Sequence, residues 1–190
     1  MTDFAYALRK LGKCLYIYIG DAGDRGFGIY AAKPFPEGSV VVADEDGDYY
    51  ERAITEAEAV RRGIDLSETC FQIGHDRYLL PNGNIDDLVN HSCDPNTGLR
   101  LTPEGYRMIA LRDIAPGDEI TYDYSTYISN PREILACTCG SAQCRGVVGR
   151  FADLPPERRR RYLDLGVVGS FAAEPQPTDA AIAPQPVVDA

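Results

Sequence analysis

The sequence predicts a mainly β protein with a few short helices, organised as one domain with a tail. Short runs of strand-forming residues recur along residues 15–124, and clusters of Gly, Pro, Asn and Asp separate them at the spacing of turns. Helix signals with matching caps are confined to residues 55–63 and 154–165. A chain of 190 residues is long enough to bury one sizeable hydrophobic core.

The segment up to residue 63 is predicted to hold three strands and one helix. Residues 15–19 and 28–32 flank a turn rich in Gly and Asp, and their β-forming side chains predict a hairpin-like pair. Residues 39–43 are a short apolar run of the kind found in buried strands. Thr55 as N-cap, acidic residues, two arginines and Gly63 then follow in the order typical of a short helix.

Further strands are predicted at residues 71–74, 77–80, 97–102, 106–111 and 119–124. Between them, residues 90–96 read Asn-His-Ser-Cys-Asp-Pro-Asn, a mix that competes for backbone hydrogen bonds and predicts a shaped polar loop. Pro155 and Pro156 start a short helix that runs to Leu165. From residue 172 the composition of Ala, Pro, Gln, Asp and Thr predicts a disordered tail.

The charge balance indicates what kind of partner the chain can bind. It has 29 acidic and 19 basic residues, a net charge of -10, which disfavours direct binding to nucleic-acid phosphates and favours a lysine-bearing basic protein or peptide. No stretch approaches the roughly 20 consecutive apolar residues of a membrane span, and the N-terminus lacks the plan of a signal peptide. We therefore expect an intracellular, cytoplasmic protein that does not bind membranes. Nothing in the sequence indicates its oligomeric state.

Six cysteines occur in the chain, and three of them follow the spacing C-x-C-x4-C within residues 137–144. Such crowding in a chain without a secretory signal favours metal binding over disulfides. Cys137, Cys139 and Cys144, with Gly140 to allow a sharp turn, can occupy three positions around a tetrahedral zinc. The alternative is three free thiols on a loop. The candidates for the fourth position are Cys14, Cys70, Cys93, His75 and His91.

Four motifs stand in an order that resembles the SET-domain family of protein-lysine methyltransferases. They are RGFGIYAA at residues 25–32, NHSCDPN at residues 90–96, GDEITYDY at residues 117–124 and the cysteine cluster that ends in CRG at residue 146. The resemblance extends over residues 15–151, which covers a minimal SET core and the post-SET zinc-binding segment of the family. We expect no cysteine-rich pre-SET module, because the first predicted strand already begins at residue 15.

The resemblance implies a β-clip fold, in which several small sheets pack together and the C-terminal strand threads beneath a loop as a pseudoknot. It also implies a division of the chain into segments. We expect an N-terminal lead-in at 1–14, a SET domain at 15–130, a post-SET zinc-binding segment at 131–151, a C-terminal helix at 152–171 and a disordered tail at 172–190.

The resemblance assigns some residues to S-adenosylmethionine. In the family the Asn-His pair contacts this cofactor, which implies that Asn90 and His91 do so here. The turn formed by Gly26, Phe27 and Gly28 would let the backbone approach the cofactor closely, although taken alone it fits a plain hairpin equally well.

A structural zinc and a cover for the cofactor are also implied. The family's Cys in the Asn-His-Ser-Cys motif is the fourth zinc ligand, and Phe151 is the nearest ring after the last cysteine that could cover the cofactor. The implied zinc ligands are Cys93, Cys137, Cys139 and Cys144.

Two tyrosines are the implied catalytic residues. Tyr124 matches the family's tyrosine beside the target nitrogen, where it helps to orient a neutral lysine amine toward the methyl donor. Tyr122 stands where the family carries Phe or Tyr to set how many methyl groups fit, and its hydroxyl predicts mainly mono- or dimethylation. Without the other motifs, the pair would be interpreted as core aromatics on one face of a strand. Thr69 occupies the position of a further active-site tyrosine in many relatives, and Tyr78 is the candidate to replace it.

The sequence therefore predicts an S-adenosylmethionine-dependent protein-lysine N-methyltransferase. The first alternative is a catalytically silent, zinc-stabilised module that binds a lysine-bearing peptide, which the presence of Thr69 keeps open. The second is a SET-like fold used as an acidic protein-interaction subunit, for which the acidic residues between Asp44 and Asp48 are the only support.

Overall fold

Small sheets dominate the computed structural model, which describes residues 16–45, 47–66, 70–130 and 134–174. Within these ranges, eleven short strands form five sheets of two or three strands each. The strands are β1 Ile17–Asp21, β2 Phe27–Ala31, β3 Val40–Asp44, β4 Phe71–Gly74, β5 Arg77–Leu79, β6 Asn90–His91, β7 Thr97–Thr102, β8 Gly105–Ala110, β9 Thr121–Tyr122, β10 Leu135–Ala136 and β11 Val147–Val148. The α-helices are α1 Glu56–Arg62, α2 Pro156–Asp164 and α3 Ser170–Ala173, and short 3-10 helices span Gly23–Arg25, Ile85–Leu88, Tyr124–Tyr127 and Phe151–Asp153. The predicted mainly β fold with a few short helices is confirmed.

Most of the sheets are antiparallel and local in sequence. β1 pairs with β2, β4 with β5, and β10 with β11, while β8 lies between β3 and β7. The exception is β6, which pairs in parallel with β9, so that Asn90 lies opposite Thr121 and His91 opposite Tyr122. This pair joins two motifs that are far apart along the chain.

The hydrophobic core forms around the sheet of β3, β8 and β7. Met108, Ile29 and Ile120 are almost completely buried in it. The C-terminal segment packs closely on the same core, because a Cβ atom at Gly98 would lie 2.6 Å from Cγ1 of Val167. Burial of this apolar surface is the dominant favourable contribution to folding.

Helix α1 begins and ends as the sequence predicts. Oγ1 of Thr55 accepts a hydrogen bond from the Glu58 backbone N–H at 3.2 Å, and Gly63 ends the helix in the left-handed conformation with a φ of 67°. Among the described residues, no helix has the length and hydrophobicity that are needed to span a membrane.

Two predictions around the parallel pair need correction. The strand predicted at residues 119–124 ends at Tyr122, because Asp123 accepts a hydrogen bond from the Ser125 backbone N–H and starts a 3-10 helix. Tyr124 therefore belongs to that helix rather than to the strand. The polar loop predicted at residues 90–96 is also shorter, since its first two residues form β6. The threading of the C-terminal strand beneath this loop stays a prediction.

The C-terminal region contains more helix than the sequence predicts. The helix predicted at residues 154–165 is present as α2, but disorder does not begin at residue 172, because Phe171 and Ala172 are buried in α3. The ring of Phe171 packs 6.1 Å from that of Tyr127, and this apolar contact outweighs the polar composition around it. The remainder of the predicted tail, residues 175–190, and the lead-in at 1–14 lie outside the described residues.

Candidate active site and metal centre

Tyr122 and Tyr124 line the same cavity, which has a volume of about 430 Å³. The Tyr122 ring centroid lies 4.8 Å from that of Tyr124 and 6.4 Å from that of Phe71. The aromatic side chains of the cavity wall, among the described residues, are Tyr49, Phe71, Tyr106, Tyr122, Tyr124 and Tyr127. The two candidate tyrosines therefore share one aromatic space and are not separate parts of the core.

Hydrogen bonds fix Tyr124 at both ends. Its hydroxyl donates to the backbone carbonyl of Val89 at 2.7 Å, and its backbone N–H donates to Nδ1 of His91 at 3.2 Å. Burial raises the pKa of Tyr124 to about 12, so the phenol is protonated at neutral pH. The cavity thus contains a protonated hydroxyl whose orientation is set by the backbone.

Tyr49 is a cavity residue whose role is not predicted from the sequence. Its side chain is 2% exposed, yet its hydroxyl has no hydrogen-bond partner in the part of the chain that the structure describes. Burial is the main reason why the pKa of Tyr49 is raised. A buried hydroxyl without a partner costs about 1–3 kcal/mol, which favours a role toward a ligand in the cavity. The only sequence signal is the Tyr49-Tyr50 pair within a segment of acidic residues.

Tyr78 does not replace the tyrosine that is missing at position 69. It packs with Ile54 and Ala59 in a separate, smaller hydrophobic cluster, and its backbone pairs with that of Ile54. It is not among the described residues that line the cavity. The prediction for Tyr78 is therefore wrong, and Thr69 itself lies outside the described residues.

The turn at residues 26–28 meets the start of β6. Nδ2 of Asn90 donates hydrogen bonds to the Phe27 carbonyl at 3.0 Å and to Oε1 of Glu119 at 2.9 Å. Glycine at position 28 allows this close approach, because a Cβ atom there would lie 2.7 Å from the same Glu119 oxygen and displace it. The fold thus brings the Gly-rich turn at residues 26–28 into contact with Asn90 of the second motif, and we call this contact the corner.

An ion pair completes the same corner. Arg25 donates two hydrogen bonds to the Glu119 carboxylate, at 2.9 and 2.6 Å, and this contact raises the pKa of Arg25. Gly26 follows with a φ of 76°, a conformation that favours glycine. Arg25 and Glu119 belong to the first and third motifs, although neither is predicted from the sequence as a site residue.

His91 connects this corner to the cysteine cluster. Its Nε2 lies 3.3 Å from Sγ of Cys93, while its Nδ1 accepts the backbone N–H of Tyr124. Burial lowers the pKa of His91 to about 4, so the ring is neutral at pH 7. Because Nδ1 is an acceptor, the proton is assigned to Nε2, which faces the Cys93 sulfur. His91 is therefore held between Tyr124 and the cluster, and its contact with a cofactor stays a prediction.

The four cysteines predicted as zinc ligands lie together. Sγ of Cys137 is 3.6 Å from Sγ of Cys93 and 3.6 Å from Sγ of Cys144, and Sγ of Cys139 accepts the Cys93 backbone N–H at 3.5 Å. Zn–S bonds of about 2.3 Å place the sulfur atoms of a tetrahedral site about 3.8 Å apart, close to the Sγ–Sγ distances here. Cys93, Cys137 and Cys139 therefore lie close enough together to share one zinc ion. Cys144, in contact with Cys137, stays the predicted fourth ligand.

The surroundings shift the pKa values of the thiols in opposite directions. Burial raises the pKa of Cys93 and of Cys137. Burial acts in the same sense on Cys139, but hydrogen bonds from the backbone of Cys93 and Ser141 outweigh it and lower the pKa of Cys139 to about 7. A divalent cation would favour the thiolate form of all the ligands.

The other candidates for the fourth zinc position can now be placed. His91 is close, since its ligand atom and those of Cys93, Cys137 and Cys139 all lie within 4.8 Å of one another. Cys70 instead lines the aromatic cavity, and Nε2 of His75 lies 2.8 Å from the Glu174 carboxylate. Cys14 lies outside the described residues.

Phe151 is placed poorly for the predicted role of covering a cofactor. Its side chain is 4% exposed and packs in the hydrophobic core, where its ring contributes to the stability of the fold. Phe27, by contrast, is 65% exposed within the turn that Asn90 contacts. If an aromatic ring covers a ligand at this corner, the geometry favours Phe27.

Comparisons with known proteins identify the family and the fold of the chain. The SET domain family model matches residues 26–125. Histone-lysine N-methyltransferase ATX2 of Arabidopsis thaliana is 33% identical over 153 residues, which cover 76% of this chain but only 14% of ATX2.

Two solved structures share the fold. The methyltransferase domain of human SETMAR has a TM-score of 0.53 at 20% identity, over 70% of this chain and 58% of that one. KRYPTONITE, solved in complex with mCHG DNA and SAH, has a TM-score of 0.50 at 22% identity, over 70% of this chain and 28% of that one. The chain belongs to the SET-domain family.

Proposed function

We propose that the protein is an S-adenosylmethionine-dependent protein-lysine N-methyltransferase that acts on a basic protein. The observation that carries this proposal is the aromatic cavity shared by Tyr122 and Tyr124, together with the hydrogen bond from the Tyr124 backbone to His91. That bond places the cavity next to the corner where Asn90 contacts the Gly-rich turn. The name of ATX2, a histone-lysine N-methyltransferase, supports the same reaction.

S-adenosylmethionine, when bound, supplies a methyl group on a positively charged sulfur. Asn90, His91 and the turn at residues 26–28 are the groups that would hold it. Gly28 is buried against Asn90 and Glu119, so a side chain at this position would displace the groups that form the corner. The SAH in the KRYPTONITE complex supports this choice of cofactor.

The cavity suits a lysine amine that must be uncharged to act as a nucleophile. A free lysine has a pKa of about 10.4, and aromatic walls favour its neutral form because they remove the amine from water. The Tyr124 hydroxyl, oriented by the Val89 carbonyl, can position the amine. The Tyr49 hydroxyl supplies a second hydrogen-bonding group, in the role for which the sequence suggested Tyr78.

Tyr122 sets the degree of methylation in this proposal. Its hydroxyl is expected to hold a water molecule beside the amine and so to favour mono- and dimethyl-lysine. Tyr122→Phe should shift the products toward trimethyl-lysine, as measured by mass spectrometry of a methylated peptide. A product from the unmodified protein that is mainly trimethyl-lysine would contradict this assignment.

One structural zinc is assigned to Cys93, Cys137, Cys139 and Cys144. Four thiolate ligands leave no open position, so the metal would stabilise the fold and take no part in the transfer. The net charge of -10 supports a basic protein as substrate and argues against direct contact with DNA. Histones are the first substrates to test, because ATX2 is named for them.

The test is incubation of the full chain with radiolabelled S-adenosylmethionine and a panel of basic proteins that includes histones. We expect label on a lysine, and a rate at least roughly 100-fold lower for Tyr124→Phe. Tyr50→Phe is the matched control, since Tyr50 is an exposed neighbour that does not line the cavity. Binding of a lysine peptide without transfer would favour the silent module, and label that survives Tyr124→Phe unchanged would refute the catalytic assignment.

A further inference from the structure

A buried ion pair connects the cysteine cluster to the two tyrosines of the cavity. Asp123 stands between Tyr122 and Tyr124 in sequence, and its carboxylate accepts two hydrogen bonds from Arg145, at 2.8 and 2.7 Å. The Asp123 side chain is completely buried and that of Arg145 is 15% exposed. A bidentate pair with so little access to water is strong and directional.

The remaining contacts of Asp123 fix the backbone where β9 turns into the 3-10 helix. Oδ1 accepts the Ser125 backbone N–H at 3.2 Å, and Oδ2 accepts the hydroxyl of Tyr162 at 3.1 Å. Nδ1 of His91 lies 3.6 Å from the same carboxylate. A buried carboxylate that loses its guanidinium partner is strongly destabilised, so the segment around it would have to move.

The other end of Arg145 belongs to the cluster. The residue follows Cys144 directly, and its backbone N–H donates to Sγ of Cys93 at 3.4 Å. Its Nη2 also donates to Oγ of Ser125 at 3.1 Å. The backbone of Arg145 is therefore held by the cysteines, while its side chain holds the residue between the two tyrosines.

We propose that Arg145 is a positioning residue, which sets the geometry of Tyr122 and Tyr124 through Asp123 and makes that geometry depend on the cysteine cluster. The inference rests on the proposed methyl transfer. An arginine is needed because its planar fork matches both carboxylate oxygens at once, whereas a lysine offers a single charged group. Arg145 thus affects the chemistry without contact with the reacting atoms.

The test compares Arg145→Gln and Arg145→Lys with Arg107→Gln as the matched control, since Arg107 pairs with Glu45 on the exposed side of β8. We expect Arg145→Gln to lower kcat about 10- to 100-fold, because small misplacements of catalytic groups have effects of this size. KM for the histone substrate and the zinc content per chain should stay close to those of the unmodified protein. Arg145→Lys should recover part of kcat, and Arg107→Gln should have no effect.

Two results would overturn the proposal. The first is that both Arg145 variants keep the kcat of the unmodified protein, and the second is that activity is lost only where zinc is lost. If Arg145→Gln does not fold, Arg145→Lys decides, with kcat below that of the unmodified protein as the expected result.

A measurement without substrate separates this proposal from the proposed function. Tyr122 and Tyr124 ring signals, assigned by NMR with Phe variants, should shift in the Arg145 variants even if no methyl transfer is found. Unchanged signals would show that Arg145 does not position them.

Discussion

At the scale of single residues, the hydroxyl groups of the cavity differ in what they can do. The Tyr124 hydroxyl is bonded to the Val89 carbonyl, and that of Tyr127 donates to the Leu99 carbonyl at 2.8 Å. The Tyr49 hydroxyl has no such partner among the described residues. The hydroxyls of Tyr124 and Tyr127 therefore maintain the cavity, whereas that of Tyr49 is available to a ligand. Removing the first kind should lower stability, and removing the second should lower the rate.

Tyr127→Phe and Tyr49→Phe are expected to differ in their effect on stability. Loss of the Tyr127 hydroxyl leaves the buried Leu99 carbonyl without its partner and should lower the free energy of unfolding by about 1–3 kcal/mol. Tyr49→Phe removes an unpaired group, so the free energy of unfolding should stay the same or rise. Its rate of methyl transfer should still fall about 10-fold, the effect of one lost hydrogen bond of ~1.4 kcal/mol. Urea denaturation and initial rates measure both effects, and equal destabilisation by the two variants would contradict the distinction.

The pH dependence of the rate should follow the substrate lysine, because Tyr124 stays protonated between pH 7 and pH 10. The rate should rise from about pH 7 to about pH 10, because the substrate lysine loses its proton near its ordinary pKa of about 10.4. Burial raises the pKa of Tyr124 from 10.0 to about 12, so its hydroxyl keeps the proton over this range. Initial rates should therefore show no falling limb, and Tyr124→Phe should keep the shape of the profile at a lower rate. A decline below pH 10 that Tyr124→Phe abolishes would show that this tyrosine titrates earlier.

Residue type and spacing predict the three cysteines at residues 137–144 as metal ligands, because the C-x-C-x4-C pattern can be recognised along the chain. Asn90 and Cys93 are assigned only through the resemblance to the SET-domain family, and their roles stay predictions. Tyr49 could not be found in the same way, since nothing local distinguishes it from Tyr50, which is exposed. Packing across sheets decides which of the two rings enters the cavity.

At the scale of elements, the parallel pair of β6 and β9 places the site. It aligns His91 with Tyr122 and leaves Asn90 at the corner with the Gly-rich turn. Both motifs can be recognised in order along the chain, but their pairing cannot, because strand partners are set by the tertiary fold. The strand predicted at residues 119–124 is also longer than β9, because the capping hydrogen bond of Asp123 ends the strand at Tyr122.

Gly28→Ala tests the corner formed by the turn and β6. The added Cβ would lie 2.7 Å from Oε1 of Glu119 and 2.9 Å from Nδ2 of Asn90, so both side chains must move. We expect the dissociation constant of S-adenosylmethionine, measured by calorimetry, to rise about 10-fold or more, the effect of at least one lost hydrogen bond. Gly149→Ala is the control, because its nearest contact would be at an ordinary 3.7 Å. An unchanged dissociation constant in Gly28→Ala would remove this corner from the cofactor site.

At the scale of the whole molecule, the C-terminal segment links the core to the cysteine cluster. Arg158 of α2 donates a hydrogen bond to the Cys93 carbonyl, and Tyr162 of the same helix reaches Asp123. Arg100 of β7 donates to the Leu165 carbonyl at 2.6 Å. The sequence predicts α2 from its proline start but not these contacts, because a run of arginines alone does not show which partner each residue finds.

Loss of the zinc should therefore affect stability and cofactor binding together. Cys93→Ser removes one ligand and the sulfur that accepts the Arg145 backbone N–H and lies beside His91. We expect less than one zinc per chain and a Tm about 10 °C lower, since a loss of ~3 kcal/mol lowers the Tm of a domain of this size by about 2–4 °C for each kcal/mol. Affinity for S-adenosylmethionine should fall in the same variant, because His91 loses its neighbour. Cys70→Ser, which changes a cysteine of the cavity wall, should keep one zinc per chain. Normal zinc content in Cys93→Ser would contradict the role of Cys93 as a ligand. Zinc loss with unchanged cofactor affinity would show that the two sites are independent.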